Sequence, residues 1–183
     1  GADANKQTKE GGTALMVTAT VEEHGEAMMR LLIEAGADAN KQAEDGSTAL
    51  MLATCFGGEH AVGMIRLLID AGADANTQDE MFGRTALMIA AMKEGEHAKA
   101  MIYILAYAGA DLKKKNNSGE TAIDLASNVE IKEYIQNIYA EIRRTTFAGN
   151  VLMSGSGPGP AEICDWKAYI PYVLWREIFA FAV

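Results

Sequence analysis

Apolar residues recur along the chain at the spacing of short amphipathic helices, and polar, turn-rich segments separate them. After Thr48, residues 49–53 form an apolar run with alanine at both ends, which predicts a short helix that a neighbour can approach closely. Met64, Ile65, Leu67 and Leu68 lie at the spacing of a second buried helical stripe. Gly72 follows as a helix-terminating glycine, and a polar segment comes next. The pattern therefore predicts a unit of helix, turn, helix and hairpin.

This unit recurs four times, and the recurrence is the strongest signal in the sequence. The motif GADAN begins at Gly1, Gly36 and Gly72, and a variant of it, GADLK, begins at Gly109. Successive copies are therefore 35, 36 and 37 residues apart. A second marker, Thr-Ala followed by Leu or Ile, keeps the same register at Thr13, Thr48, Thr85 and Thr121. A single unit cannot bury its apolar faces, so we expect the copies to stack on one another.

The recurring threonines stand where the first helix of each copy should begin. A threonine hydroxyl can accept a hydrogen bond from a free backbone N–H of the first turn, so we predict that all four threonines cap helices. Helix pairs are expected near residues 13–35, 48–71, 85–108 and 121–143. The fourth copy is more polar than the others, which suits a terminal repeat with a wettable outer face.

The copies resemble the ankyrin repeat, whose pattern runs D-x-x-G-x-T-P-L-H-x-A-A through the first helix and closes with L-L-L-x-x-G-A-D-x-N. The second copy reads DGSTALMLA from Asp45 and closes with LLIDAGADAN from Leu67 to Asn76. The resemblance covers residues 1–140. It implies an all-α solenoid of four helix-turn-helix units joined by β-hairpin loops, with the array at residues 1–144. It also implies a non-enzymatic scaffold for protein–protein interaction.

Three features depart from the family pattern. Alanine replaces the proline after threonine in every copy. The family's usual histidine is absent, and with it the bond that this histidine makes to a neighbouring hairpin; its positions hold Met16, Met51, Met88 and Asp124. The steps between copies also exceed the usual length of about 33 residues. Most of the excess lies between the two helices of a copy, and Met81-Phe82 adds one residue to a hairpin.

In this family the partner usually contacts the hairpin tips and the concave face of the first helices. Four large apolar residues occupy positions where the repeat leaves side chains exposed, and we take them as the main candidate anchors: Phe56, Met81, Phe82 and Met92. Polar and smaller candidates on the same surface are Glu44, Asp45, Cys55, Arg84 and Lys93. The alternative is that the longer loops fold over the apolar residues and that the polar ones are merely solvated.

The chain after the array has a different composition. Residues 145–160 are predicted to be a linker, natural or engineered, because 154–160 contain only glycine, serine and proline. Residues 161–183 predict an apolar, aromatic helix that must dock on the array or on another chain. The residues expected to dock are Trp166, Leu174, Trp175, Ile178, Phe179 and Phe181.

Residues 170–181 are similar to the opening of an F-box, which begins L-P-x-E-[LV]-[LW]-x-x-I-F-x-[FY]. This resemblance implies docking on the Skp-type adaptor of cullin ubiquitin ligases, and hence a substrate-recruiting adaptor as the alternative function. Val173 departs from the pattern, and the similarity covers only a short segment. A plain docking helix and a fused partner peptide are the other interpretations.

Charge and composition exclude several function classes. The formal net charge is −9, and a nucleic-acid binder needs clustered Lys and Arg, so nucleic acid is not an expected partner. No apolar run reaches the ~18 residues of a membrane helix, so a membrane is not expected either. Two cysteines, Cys55 and Cys164, suggest reduced thiols in a protein without a recognisable leader. The expected location is cytoplasmic, or the host cytosol if the protein is a pathogen effector.

No pattern in the sequence predicts a catalytic, cofactor or metal site. His24, His60 and His97 recur once per repeat. Adjacent repeats stack roughly 10 Å apart, which is too far for these histidines to share one zinc ion. Cys55 has no neighbouring base in the sequence that could activate its thiol. We therefore expect no cofactor, no metal and no enzymatic activity.

Overall fold

The computed structural model describes residues 3–21 and 23–152, with side chains described up to residue 144. The docking residues predicted in the C-terminal helix and the F-box-like segment lie outside these residues. The part up to Ala140 forms one unit and contains the repeats. The described helices are α1 (Ala14–Thr18), α2 (Gly25–Glu34), α3 (Ala49–Phe56), α4 (Ala61–Asp70), α5 (Ala86–Ala91), α6 (Gly95–Tyr107) and α7 (Val129–Leu152).

Threonine caps begin three of the first helices, as predicted. Thr13 accepts a hydrogen bond from the Met16 N–H at 3.2 Å. Thr48 and Thr85 accept the equivalent bond from the methionine three residues on, each at 3.3 Å. The side-chain oxygen thus satisfies a backbone donor that the first turn leaves free.

The fourth copy departs from the predicted helix pair. Residues 122–125 form turns instead of a first helix. Asp124 replaces the methionine of the other copies, and its carboxylate accepts from both the N–H and the hydroxyl of Thr121, at 2.9 and 2.7 Å. The hydroxyl is therefore engaged as a donor, and local bonds of an aspartate to nearby backbone favour a turn over a helix.

The predicted linker begins too early. Helix α7 continues to Leu152 and so occupies the first eight residues of the segment 145–160. Residues 145–152 carry no proline, and the glycine- and proline-rich composition starts only after them. The prediction took the start of the linker from composition, but helix α7 runs without interruption from Val129 to Leu152.

Pairs of helices stack with small and apolar side chains between them. Within the first helices, Ala53, Ala90 and Ala91 are completely buried, which allows neighbouring backbones to approach closely. The second helices contribute larger side chains to the same interior, including Met64, Leu68, Ile102 and Leu105. Burial of each large apolar side chain stabilises the stack by about 1.5–3 kcal/mol. Stacking thus covers the faces that one copy cannot bury by itself.

The predicted hairpins are tight turns. In each, a residue before the turn bonds the carbonyl of a residue after it: Thr8 to Gly12, Ala43 to Ser47, Asp79 to Arg84, and Asn116 to Glu120. The one β-bridge among the described residues pairs Gln42 with Thr48. Gly46 adopts a φ of +77°, and a Cβ there would lie 2.7 Å from the Glu80 nitrogen. Glycine is therefore required both for the turn and for the approach of the next hairpin.

Candidate partner-binding surface

The four hairpin tips form a continuous edge. Backbone hydrogen bonds join each tip to the next: Glu44 N–H donates to the Glu10 carbonyl at 3.0 Å, and Glu80 N–H donates to the Asp45 carbonyl at 2.9 Å. Asn117 N–H donates to the Phe82 carbonyl at 2.9 Å. These bonds fix the spacing of the tips, so side chains from successive copies are held at defined positions along the edge.

Glutamine side chains replace the cross-hairpin bond expected from the family's histidine. Gln7 Nε2 donates to the Gly11 carbonyl at 2.7 Å and to the Gln42 carbonyl of the next copy at 3.0 Å. Gln78 likewise donates to the carbonyls of Gly83 and, at 2.9 Å, of Lys115. In the first and third copies one amide thus closes its own turn and contacts the next hairpin, whereas Gln42 Nε2 donates to the Gly46 carbonyl within its own turn, at 3.1 Å.

The third tip carries the insertion of Met81 and Phe82, and Asp79 organises it. Asp79 is buried and accepts from the Phe82 N–H at 2.6 Å and from Arg84 Nε at 3.1 Å. The Arg84 guanidinium lies 4.2 Å from the centroid of the Phe82 ring. Phe82 remains 47% exposed and Met81 69% exposed. The aspartate therefore holds an exposed apolar and cationic tip in one arrangement.

Phe56 and Met92 lie at the C-terminal ends of the first helices α3 and α5. They are 55% and 48% exposed, so the longer loops do not fold over them. Cys55 is half-buried. Lys93 Nζ donates to the Cys55 carbonyl at 2.8 Å, which places a cation at the C-terminal end of α3 and joins two copies. The Lys93 ammonium therefore has a structural contact in addition to any role in binding.

A cleft of about 480 Å³ lies between the first two hairpins and the first helices. Its lining includes Glu44 and Asp45, which the sequence singled out, together with Val17 and Leu52 from α1 and α3. Sequence reasoning missed Val17 and Leu52. Both stand four residues after a capping threonine, at the same register in their copies, and this offset was the signal that could have identified them.

Among residues 3–21 and 23–152, no group of three or more His, Cys, Asp or Glu side chains is arranged to hold a metal ion. In the same part of the chain, no helix combines the length and the apolar composition needed to cross a bilayer.

Comparison with known families agrees with the repeat geometry. A model of ankyrin repeats in three copies matches residues 1–79 and 58–146. A search of curated proteins finds no match. The match ends before the C-terminal segment, and the F-box resemblance of residues 170–181 finds no support in these comparisons. Repeats of this type generally mediate protein–protein interaction and are generally non-catalytic. The chain, matched over most of its length, belongs to the ankyrin-repeat family.

Proposed function

We propose that this protein binds a partner protein through its hairpin tips and the exposed sides of α1, α3 and α5, without catalysing a reaction. The observation that carries the proposal is the exposure of Phe56, Met81, Phe82 and Met92 on these elements. Large apolar side chains left in water gain free energy when a partner covers them. Aromatic and methionine residues are also enriched at protein interfaces.

The hairpin edge is already ordered before a partner binds. Backbone bonds link successive tips, and Arg84 is held by both Asp79 and the Phe82 ring. A partner that binds this edge does not need to order it first, so less of the binding free energy is lost to conformational entropy.

Three substitutions test the proposal: Phe56→Ala, Phe82→Ala and Met92→Lys. A pull-down with the intact chain, followed by mass spectrometry, identifies the partner, and calorimetric titration gives its Kd for each variant. We expect each substitution to weaken binding by about 1–3 kcal/mol because each removes an apolar anchor. Helicity measured by circular dichroism should not change, since all three side chains are exposed.

Leu31→Ala is the matched control. Leu31 is 65% exposed, but it lies on the second helix α2 and belongs to neither a hairpin tip nor a first helix. This variant should bind the partner as the wild type does. Wild-type affinity in all three test variants would contradict the proposal and move the contact to other elements, such as the loops between paired helices.

A further inference from the structure

The cleft between the first two copies has an apolar floor. Met16 and Val17 of α1 and Leu52 of α3 line it, and Val17 is 60% exposed. The cleft is open to solvent and has a volume of about 480 Å³. The floor can therefore accept an apolar side chain of moderate size.

The wall of the cleft on the hairpin side is acidic. Glu10, Glu44 and Asp45 line it, and no lysine or arginine is part of the lining. The bond from the Glu44 N–H to the Glu10 carbonyl holds the two tips side by side. Three acidic residues thus line one opening.

These carboxylates are not neutralised by side chains of the described residues. None of the three belongs to an ion pair found in that part of the chain. The Asp45 carboxylate accepts from the Ser47 N–H at 2.9 Å, which fixes its position without supplying a full positive charge. Lys9 lies at the same tip as Glu10, but it does not line the cleft. Like charges held close together favour an incoming cation.

From the apolar floor and the acidic wall together, we propose that the cleft binds a segment of the partner in which a lysine or arginine stands next to an apolar side chain. The apolar side chain occupies the floor formed by Met16, Val17 and Leu52. The cationic group lies against Glu10, Glu44 and Asp45. This inference rests on the proposed function and adds the chemistry of the partner.

Selection of random 12-residue peptides displayed on phage, with the full chain immobilised, tests the inference. The wild type should enrich peptides that carry Lys or Arg beside an apolar residue. A synthetic copy of the most enriched peptide should bind the triple variant E10Q/E44Q/D45N at least about fivefold more weakly, because the charge complementarity is removed. Asparagine and glutamine retain a carbonyl oxygen, so the bond from Ser47 to position 45 can persist.

The control is the triple variant E34Q/D70N/E133Q. It removes the same number of negative charges from exposed positions on α2, α4 and α7. It should bind the peptide as the wild type does, which separates a local effect from a change in overall charge.

The outcomes separate this inference from the proposed function. Selection of peptides without enrichment in Lys or Arg, or equal loss of affinity in both triple variants, would overturn the inference. Phe56→Ala or Met92→Lys would still weaken partner binding in that case if the proposed function holds. Failure to select any peptide above background would also overturn the inference. Partner binding that no substitution on the hairpin edge or first helices affects would overturn both.

Discussion

At the scale of single residues, the asparagine that ends each GADAN motif explains why the motif recurs. Asn40 Nδ2 donates to the Gly72 carbonyl at 2.8 Å, and its Oδ1 accepts from the Asp74 N–H at 2.7 Å. Asn5 and Asn76 make the same two bonds to the copies that follow them. The sequence marked these asparagines but could not assign the bonds, because each connects residues more than 30 positions apart.

Substitution of this asparagine should weaken the coupling between copies. We expect Asn40→Ala to lower the free energy of unfolding by about 1–2 kcal/mol, since two backbone groups lose their partner. Urea denaturation measures this difference. Asn137→Ala, at an exposed position of α7, is the control and should stay within about 0.5 kcal/mol of the wild type. Equal stability of the two variants would show that the bond does not contribute.

Asp124 provides a test that depends on pH. The N–H and hydroxyl of Thr121 donate to its carboxylate and lower its pKa below the usual value of 3.8. The stabilisation from these bonds is complete above the pKa of the unfolded chain and is lost as pH falls through the lower pKa of the folded chain. NMR titration of the carboxyl carbon should therefore give a midpoint below 3.8.

Thr121→Val is the matched variant for this titration. It removes the hydroxyl donor but keeps the backbone N–H, so the Asp124 midpoint should move part of the way back towards 3.8. A wild-type midpoint at or above 3.8, or a midpoint that the substitution does not change, would contradict the hydrogen-bonding account of the fourth copy.

At the scale of helices, the burial of a side chain depends on the copy in which it lies and not only on its residue type. Met28 and Met64 occupy the same register in successive copies, 36 residues apart. Met64 is completely buried, whereas Met28 on α2 is 38% exposed. Leu31 and Val17 of the first copy are exposed in the same way. A sequence pattern assigns all copies the same faces and so cannot show this difference.

The two methionines therefore form a matched pair for stability measurements. Met64→Ala should cost about 2–4 kcal/mol because it leaves a cavity between packed helices. Met28→Ala should cost less than about 1 kcal/mol, since much of its side chain already contacts water. Thermal or urea denaturation of both variants provides the comparison. Equal losses would contradict the difference in burial between the two methionines.

Helix positions were largely predictable where the periodic pattern was complete. The first three helix pairs lie where the apolar spacing and the threonine caps placed them. The fourth was misjudged because Asp124 replaces a methionine that is buried in the other copies. The Asp124 carboxylate accepts hydrogen bonds from the N–H and the hydroxyl of Thr121, and these bonds favour a turn. The end of α7 was misjudged because the composition of residues 145–152 does not by itself show whether a helix continues.

At the scale of the whole molecule, the sequence predicted the repeat array because the GADAN and Thr-Ala markers keep one register over four copies. It also indicated that Phe56, Met81, Phe82 and Met92 are exposed, since the repeat specifies which positions face outward. The cleft between the first two copies was not predictable, because it is formed by residues from different copies that come together only in the stack. The expectations for residues 161–183 lie outside the described residues and stay predictions.

The central claim is that a partner binds along the hairpin tips and first helices. Amide hydrogen exchange of the full chain, with and without saturating partner, measures this most directly. We expect slower exchange in the tips 8–12, 43–47 and 79–84 and in α1, α3 and α5, with no change on the outer sides of α2, α4 and α6. Protection confined to α2, α4 and α6, or to residues 153–183, would contradict the claim.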